Sequence, residues 1–262
     1  MLLKLTNVTW LPELILKDGR YEMNWGDFEE KLRDGVKLFI LCSPHNPLGR
    51  VWTREELKRI VKLCKENNVL IFSDEIHSDI IFPGNKHIPT LSLSEDSREI
   101  AISTMAPSKT FNVAGLKSSI MIIKNPELRE KLTEAVEAFH LGVTLFGYKA
   151  TEVAYGCGAK WTDELIKYLY ENAKFVVEFF NKNMPKVKAY VPEGTYLMWL
   201  DFSEYGLTQE ELMEKLKGKA RVALNDGEVY MTSENGFVRL NIGTTREMIE
   251  RELTQICKAF EK

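Results

Sequence analysis

The sequence predicts an α/β fold: a mostly parallel sheet forming part of a large domain, followed by a smaller α+β unit at the C-terminus. Three observations carry that expectation. In the first half, short apolar runs take turns with amphipathic stretches at helical spacing, the pattern of strands buried on both faces between crossover helices. Past about residue 160 the order changes to a long helix, two short strands, a helix, a strand and a closing helix. And the residues able to do chemistry stand at or just past the ends of apolar runs, where open α/β sheets gather their sites.

Taken in order, KLFILC (37–42) forms the first buried strand and SPHNPLGRVW the turn-rich stretch after it. TREELKRIVKLCKENN (53–68) is a helix. Thr53 stands at the N-cap, acids fill the first turn, and Leu57, Ile60, Val61 and Cys64 recur on one face. VLIFSDE (69–75), EIAISTM (99–105) and SSIMIIK (118–124) are three more buried strands, and PELREKLTEAVEAFH is helical. WTDELIKYLYENAKFVVEFFNKNM (161–184) is a long amphipathic helix with an aromatic-rich face. KAYVPEGTYLMWLDF (188–202) reads as two short strands around a glycine turn. TQEELMEKLKGKARVAL reads as a helix leading into a strand, GFVRLNIG as a strand, and TREMIERELTQICKAFEK as the terminal helix. The chain divides into 1–160 and 161–262, with no internal repeat.

Composition narrows the function. The 262 residues are 44% hydrophobic and 28% charged with a net charge of −3, so no broad basic field invites nucleic acid. No apolar run reaches the roughly 18 residues of a membrane helix, and residues 1–20 are too interrupted by polar groups for a signal peptide. Four dispersed cysteines, Cys42, Cys64, Cys157 and Cys257, read as reduced thiols of a cytoplasmic protein. The four histidines show no metal-ligand spacing.

Lys109, in APSKTFNVAGLK, stands just past a small apolar strand. An amine there either reaches solvent or, desolvated, attacks carbonyls. Asp74 ends VLIFSD, where a charge is awkward without a partner. It either caps the next turn of the chain or faces a ring nitrogen. Asn46 in HNPLG is a turn residue or an amide donor. Arg239 in FVRLNIG is an exposed strand position or a fork for a carboxylate.

Each signal is weak alone, but the series Asn46, Asp74, Lys109, Arg239 is specific in order and spacing. SPHNPLGRVW, SDEIHSD, APSKTFNVAGLKSS, GTYLMWLDF and GFVRLNIGTTR resemble the fold-type I, pyridoxal-phosphate (PLP)-dependent enzymes of the class I/II aminotransferase superfamily. Within it they are most similar to the cystathionine β-lyase-type C–S lyases. The resemblance runs from about residue 20 to the end. It implies that Lys109 holds the aldehyde of the cofactor, pyridoxal 5'-phosphate, covalently and later shuttles the α-proton. It further implies that Asp74 pairs with the pyridine nitrogen, Asn46 bonds O3′, Ser108 and Lys117 contact the phosphate, and Arg239 holds the α-carboxylate of a small amino-acid substrate. His77 stands where many aminotransferases carry the tyrosine that bonds O3′, and DEIH is typical of the lyase branch. Lys117 stands where many relatives have arginine, and it would bind phosphate as a point charge.

The resemblance also implies a homodimer, with AFHLGVTLFGYKA (138–150) near the interface. Relatives of this kind are longer, and the segment that cradles the phosphate finds no counterpart in residues 1–20. The expectation is therefore an N-terminally truncated chain that binds the cofactor weakly. An aminotransferase, or a catalytically impaired fragment with a structural or regulatory role, are the alternative readings.

Overall fold

The computed structural model describes residues 12–230 and 235–261, and the reading of residues 1–11 lies outside them. The chain enters as a hairpin of β1 (Leu14–Lys17) and β2 (Arg20–Met23). Helix α1 (Trp25–Arg33) comes next. It is capped by Asn24, whose Oδ1 accepts from the Asp27 amide, and buries Phe28 and Leu32. Strands β3 (Leu38–Cys42), β4 (Leu70–Asp74), β5 (Ala101–Met105) and β6 (Ile120–Ile123) form one sheet in that order. The β3–β4 and β4–β5 pairs are parallel, and β6 runs antiparallel to β5.

Helix α2 (Arg54–Glu66) crosses from β3 to β4, and α3 (Glu95–Ile100) precedes β5. The expected Thr53 cap forms a full capping box with Glu56, so two orphan backbone donors are satisfied at once. Leu57, Ile60, Val61 and Cys64 turn inward as the spacing predicts, against Leu41, Ile71 and Trp52.

After β5 come the one-turn helix α4 (Pro107–Thr110), then, beyond β6, α5 (Pro126–Ala138), α6 (Leu145–Cys157) and the long α7 (Ala159–Asn183). A second sheet, all antiparallel, has the order β7 (Lys188–Ala189), β8 (Leu197–Asp201), β10 (Phe237–Asn241), β9 (Asn225–Asp226). Helices α8 (Gln209–Glu214) and α9 (Arg246–Phe260) cover it together with α7. Its core holds Leu169, Val176, Phe180, Leu200, Val238 and Leu253, and it also takes in Ile80 and Phe82 from the first half of the chain. The buried Asn172 of α7 donates to Ile242 O and Thr244 O at 3.1 Å each and accepts from Arg246 Nε. That side chain ties the long helix to the end of β10.

The fold-type I α/β architecture is borne out, with two corrections in detail. The first concerns strands expected to be buried. Leu38 and Ile40 of β3 are 49% and 47% exposed, and Ile120, Met121 and Ile122 of β6 are also open. Both are edge strands, and no element among the described residues covers those side chains. The second concerns ARVAL, which makes no strand. A π-helical turn (Lys215–Ala220) ends at Arg221 in the left-handed region (φ +56°), and among the described residues the ladder that follows is the short β9. Val222 and Leu224 are buried as side-chain anchors without pairing.

Candidate active site

Parallel pairing sets Cys42, Asp74 and Thr104 side by side at the carboxyl ends of β3, β4 and β5. From Cys42 the chain folds into a tight loop. His45 N donates to Arg50 O, Gly49 N donates to His45 O, and the Trp52 indole donates back to Cys42 O. The loop turns Asn46 toward the second sheet, where its Oδ1 accepts from Arg239 Nη1 at 2.8 Å.

The seam between loop and second unit is held closely. Glu193 N and Gly194 N both donate to Gly49 O, and Gly49 has φ +67°. A Cβ there would stand 2.3 Å from Pro192 Cβ, so the approach requires glycine. The Glu193 carboxylate accepts from Val51 N (2.6 Å) and Arg20 Nε (2.7 Å), beside the buried Arg50.

Asp74 lies beside the start of this loop, paired in register with Cys42. Burial raises its carboxyl above the ordinary carboxylate range, opposed by the Ile76 amide at 3.2 Å and by the charge of Lys109. Its neighbour Cys42 is pushed up to about 12, chiefly by burial and further by the Asp74 charge. His77 is 3% exposed. Burial, then the charges of Lys109 and Arg239, bring it down to about 4, so the imidazole is neutral at physiological pH. Its ring meets Tyr196 edge-on at 5.4 Å.

Lys109 is the third residue of α4, directly after β5, and its charge is felt by both Asp74 and His77. Four of the sequence-predicted residues, Asp74, His77, Lys109 and Arg239, therefore share one neighbourhood, and Asn46 joins it through Arg239. Ser108 is half-buried beside Lys109. Lys117 lies exposed in the left-handed region (φ +49°) past the turn at 114–116, and no hydrogen bond or ion pair among the described residues ties it to the cluster.

Three neighbours escaped the sequence reading. Asn225 Oδ1 accepts from Arg239 Nη2 at 2.9 Å, Tyr230 carries the guanidinium 5.2 Å from its ring centroid, and Tyr196 flanks His77. Asn225 opens the turn-like NDG, which reads as a turn and gives no sign of a partner on β10.

The donor set suits a pyridine cofactor and an amino-acid carboxylate. Arg239 has five N–H donors, and among the described residues its buried Nε has no partner, nor has His77 Nδ1. Asn46 commits its oxygen to Arg239, which leaves the amide nitrogen as the donating end.

These features define a lysine-bearing α/β site at the seam of two sheets, and the chain belongs to the aminotransferase class I and II family, whose model matches residues 3–256. The chain is 44% identical over 249 residues to Cystathionine beta-lyase PatB of Bacillus subtilis (strain 168), covering 94% of this chain and 64% of that protein. It is 32% identical over 226 residues to Protein MalY of Escherichia coli (strain K12), covering 86% and 57%. Among solved structures it is similar to the PLP-bound putative aminotransferase from Clostridium difficile 630 (TM-score 0.92, 44% identity, 95% of this chain and 64% of that one). It is also similar to cystalysin from Treponema denticola, which contains a pyridoxal 5'-phosphate cofactor (TM-score 0.91, 38% identity, 94% and 63%). The chain thus spans 64% or less of the length of each of these relatives.

Proposed function

We propose that the protein is a pyridoxal-phosphate-dependent C–S β-lyase that converts cystathionine or a related S-substituted cysteine to a thiol, pyruvate and ammonia. The observation that carries this reading is the convergence of Lys109, Asp74, His77 and Arg239 at one seam, with Asn46 bonded to Arg239. Bound there, pyridoxal phosphate supplies an aldehyde for an amine and a ring that takes up the electrons left when an α-proton departs.

Each residue then has a task. Lys109 would hold the cofactor through its aldehyde, and its amine, once free, would take the proton from the substrate's α-carbon and pass it to the departing sulfur. Asp74 would keep a proton on the ring nitrogen, Asn46 would donate to the phenolic oxygen, and the neutral His77 would line the site without adding charge. Ser108 and Lys117 would hold the phosphate. Arg239 grips the α-carboxylate with the N–H groups that Asn46 and Asn225 leave free. We place the division between the two units near residue 160, with the site between them.

Support for lyase over aminotransferase comes from the relatives' names and from His77 in DEIH. PatB at 44% identity, and a Corynebacterium glutamicum protein at 31%, are named cystathionine beta-lyases, whereas an Aquifex aeolicus protein named "Probable aspartate/prephenate aminotransferase" stands at 28%. The Clostridium difficile structure keeps the aminotransferase reading as the second one. Cystathionine supplied without any 2-oxo acid separates them. Thiol and pyruvate release supports the lyase, and product formation only when a 2-oxo acid is added overturns it.

Replacing Arg239 with lysine keeps the charge and loses the fork. The expected result is a KM about a hundredfold higher with kcat changed less than about fivefold. Steady-state kinetics check it, and an unchanged KM removes Arg239 from the carboxylate.

We also place a second copy of the chain against α5 and α6. Helix α5 buries no residue, and Phe139, Leu145 and Phe146 are 77%, 80% and 77% exposed, an apolar surface of the kind that marks an interface. Sedimentation equilibrium is expected to give twice the chain mass, and a monomer at micromolar concentration would rule this out. The four free cysteines suit the reducing cytoplasm, where we place the protein.

A further inference from the structure

Lys109 sits on a helix that cannot hold itself. Helix α4 is four residues long, and its N-cap, Ala106, offers no side-chain oxygen. A single turn is costly to nucleate and takes its direction from what surrounds it. Two contacts set that direction. On one side Phe111 stacks on Trp161, with ring centroids 5.6 Å apart, and meets Tyr155 edge-on at 5.8 Å. On the other, the buried Thr110 donates its hydroxyl to Asp79 Oδ2 at 2.7 Å, a short bond to a carboxylate from far away in the chain.

Asp79 is itself fixed. Ser78 N donates to Glu75 O, Ile80 N to His77 O, and Thr195 N to Ile80 O. Glu75, 2% exposed, anchors this segment to the end of β4: it accepts from Ser73 Oγ at 2.9 Å and Thr90 N at 3.0 Å, and meets His87 Nε2 at 2.9 Å. A continuous path of bonds thus runs from the strand that ends in Asp74, through the segment of Asp79, to Thr110, the residue next to Lys109. Successive helical residues are turned by about 100°, so fixing residue 110 fixes the bearing of residue 109.

We propose that Asp79 is a positioning residue that aims the amine of Lys109 at the cofactor by holding the hydroxyl of Thr110. The proposal rests on the reading of Lys109 as the amine that captures pyridoxal phosphate.

The test compares Thr110→Val, which removes the hydroxyl at constant shape, with Thr110→Ser, which keeps it. The protein is exposed to pyridoxal phosphate and then borohydride, and labelling is read at Lys109 and at surface lysines by peptide mass. Thermal melting is recorded in parallel. The expected result for Thr110→Val is at least about tenfold less label at Lys109, with surface lysines unchanged. Thr110→Ser is expected to stay within about twofold of wild type. Equal labelling of Lys109 in Thr110→Val and wild type overturns the proposal. If Thr110→Val does not fold, Asp79→Asn is read the same way, with a loss of at least about threefold expected and wild-type labelling overturning it. A wild type that labels Lys109 no faster than its surface lysines sinks the cofactor reading instead. Hydrogen exchange at residues 110–113 then decides the positioning role: exchange about tenfold faster in Thr110→Val but not in Thr110→Ser sustains it, and equal exchange overturns it.

Discussion

Replacing Lys109 with alanine is expected to abolish reducible attachment of pyridoxal phosphate and to lower thiol release from cystathionine by at least about a thousandfold. On the proposed reading two tasks disappear together: the amine that would hold the aldehyde and the base that would take the α-proton. Lys117 is exposed and in the proposed reading is engaged with the phosphate and not the aldehyde, so it gives no second amine at the same place. Asp74 loses the cation that opposes its burial, so its carboxyl moves further up, away from the charged form. Borohydride reduction and then peptide mass, beside a thiol assay, measure both effects. Stoichiometric label on another residue with unchanged turnover would remove Lys109 from the chemistry.

How much of the fold and site is legible in the sequence depends on the kind of signal each feature leaves. Asn46, Asp74 and Lys109 stand at or just past the ends of apolar runs and Arg239 inside one; each is ambiguous alone, and their order, spacing and surrounding motifs, through the family resemblance, are what single them out. The Thr53 cap is local, and its reciprocal bonds with Glu56 form as expected. Asn225, Tyr196 and the Asp79–Thr110 bond are contacts between distant positions, and nothing periodic announces them. Edge exposure escapes for another reason. A continuous apolar run such as LFILC looks the same whether both faces of the strand are covered or one lies open, because covering is a property of neighbours. The strand expected at ARVAL fails because Arg221 takes a left-handed turn after a π-helical one, a backbone event that side-chain pattern does not encode.

The arrangement of charge explains why the site is built from a mixed set of groups. Burial holds His77 neutral, and the charges of Lys109 and Arg239 add to it. A protonated imidazole there would repel both cations. Burial raises Asp74 against the opposing charge of Lys109, while the nearby Glu75 is held below its ordinary range, against burial, by His87, Thr90 and Ser73. Two adjacent carboxylates are thus driven in opposite directions: one structural and firmly ionised, the other costly to ionise and aimed at the site.

Exchanging Asp74 for asparagine is expected to split stability from activity. Thiol release should fall by about a thousandfold, because an amide cannot hold a proton on a ring nitrogen. The cofactor-free protein should become more stable at neutral pH. The raised carboxyl sets the sign. Below the unfolded carboxylate value of about 3.9, Asp74 is protonated folded or unfolded and its titration contributes no difference. As pH rises past that value the unfolded chain gives up its proton while the folded chain retains it, so folding loses stability until pH exceeds the raised folded value. Asparagine has no such loss, so the variant's advantage grows through that window and then stays constant to neutral pH. Urea denaturation of both cofactor-free proteins across acid to neutral pH checks the stability half, and kinetics the other. A less stable variant at neutral pH would make Asp74 a structural residue. A more stable and inactive one would show that the fold keeps this carboxylate against its own stability, for which the pairing with a ring nitrogen supplies the reason.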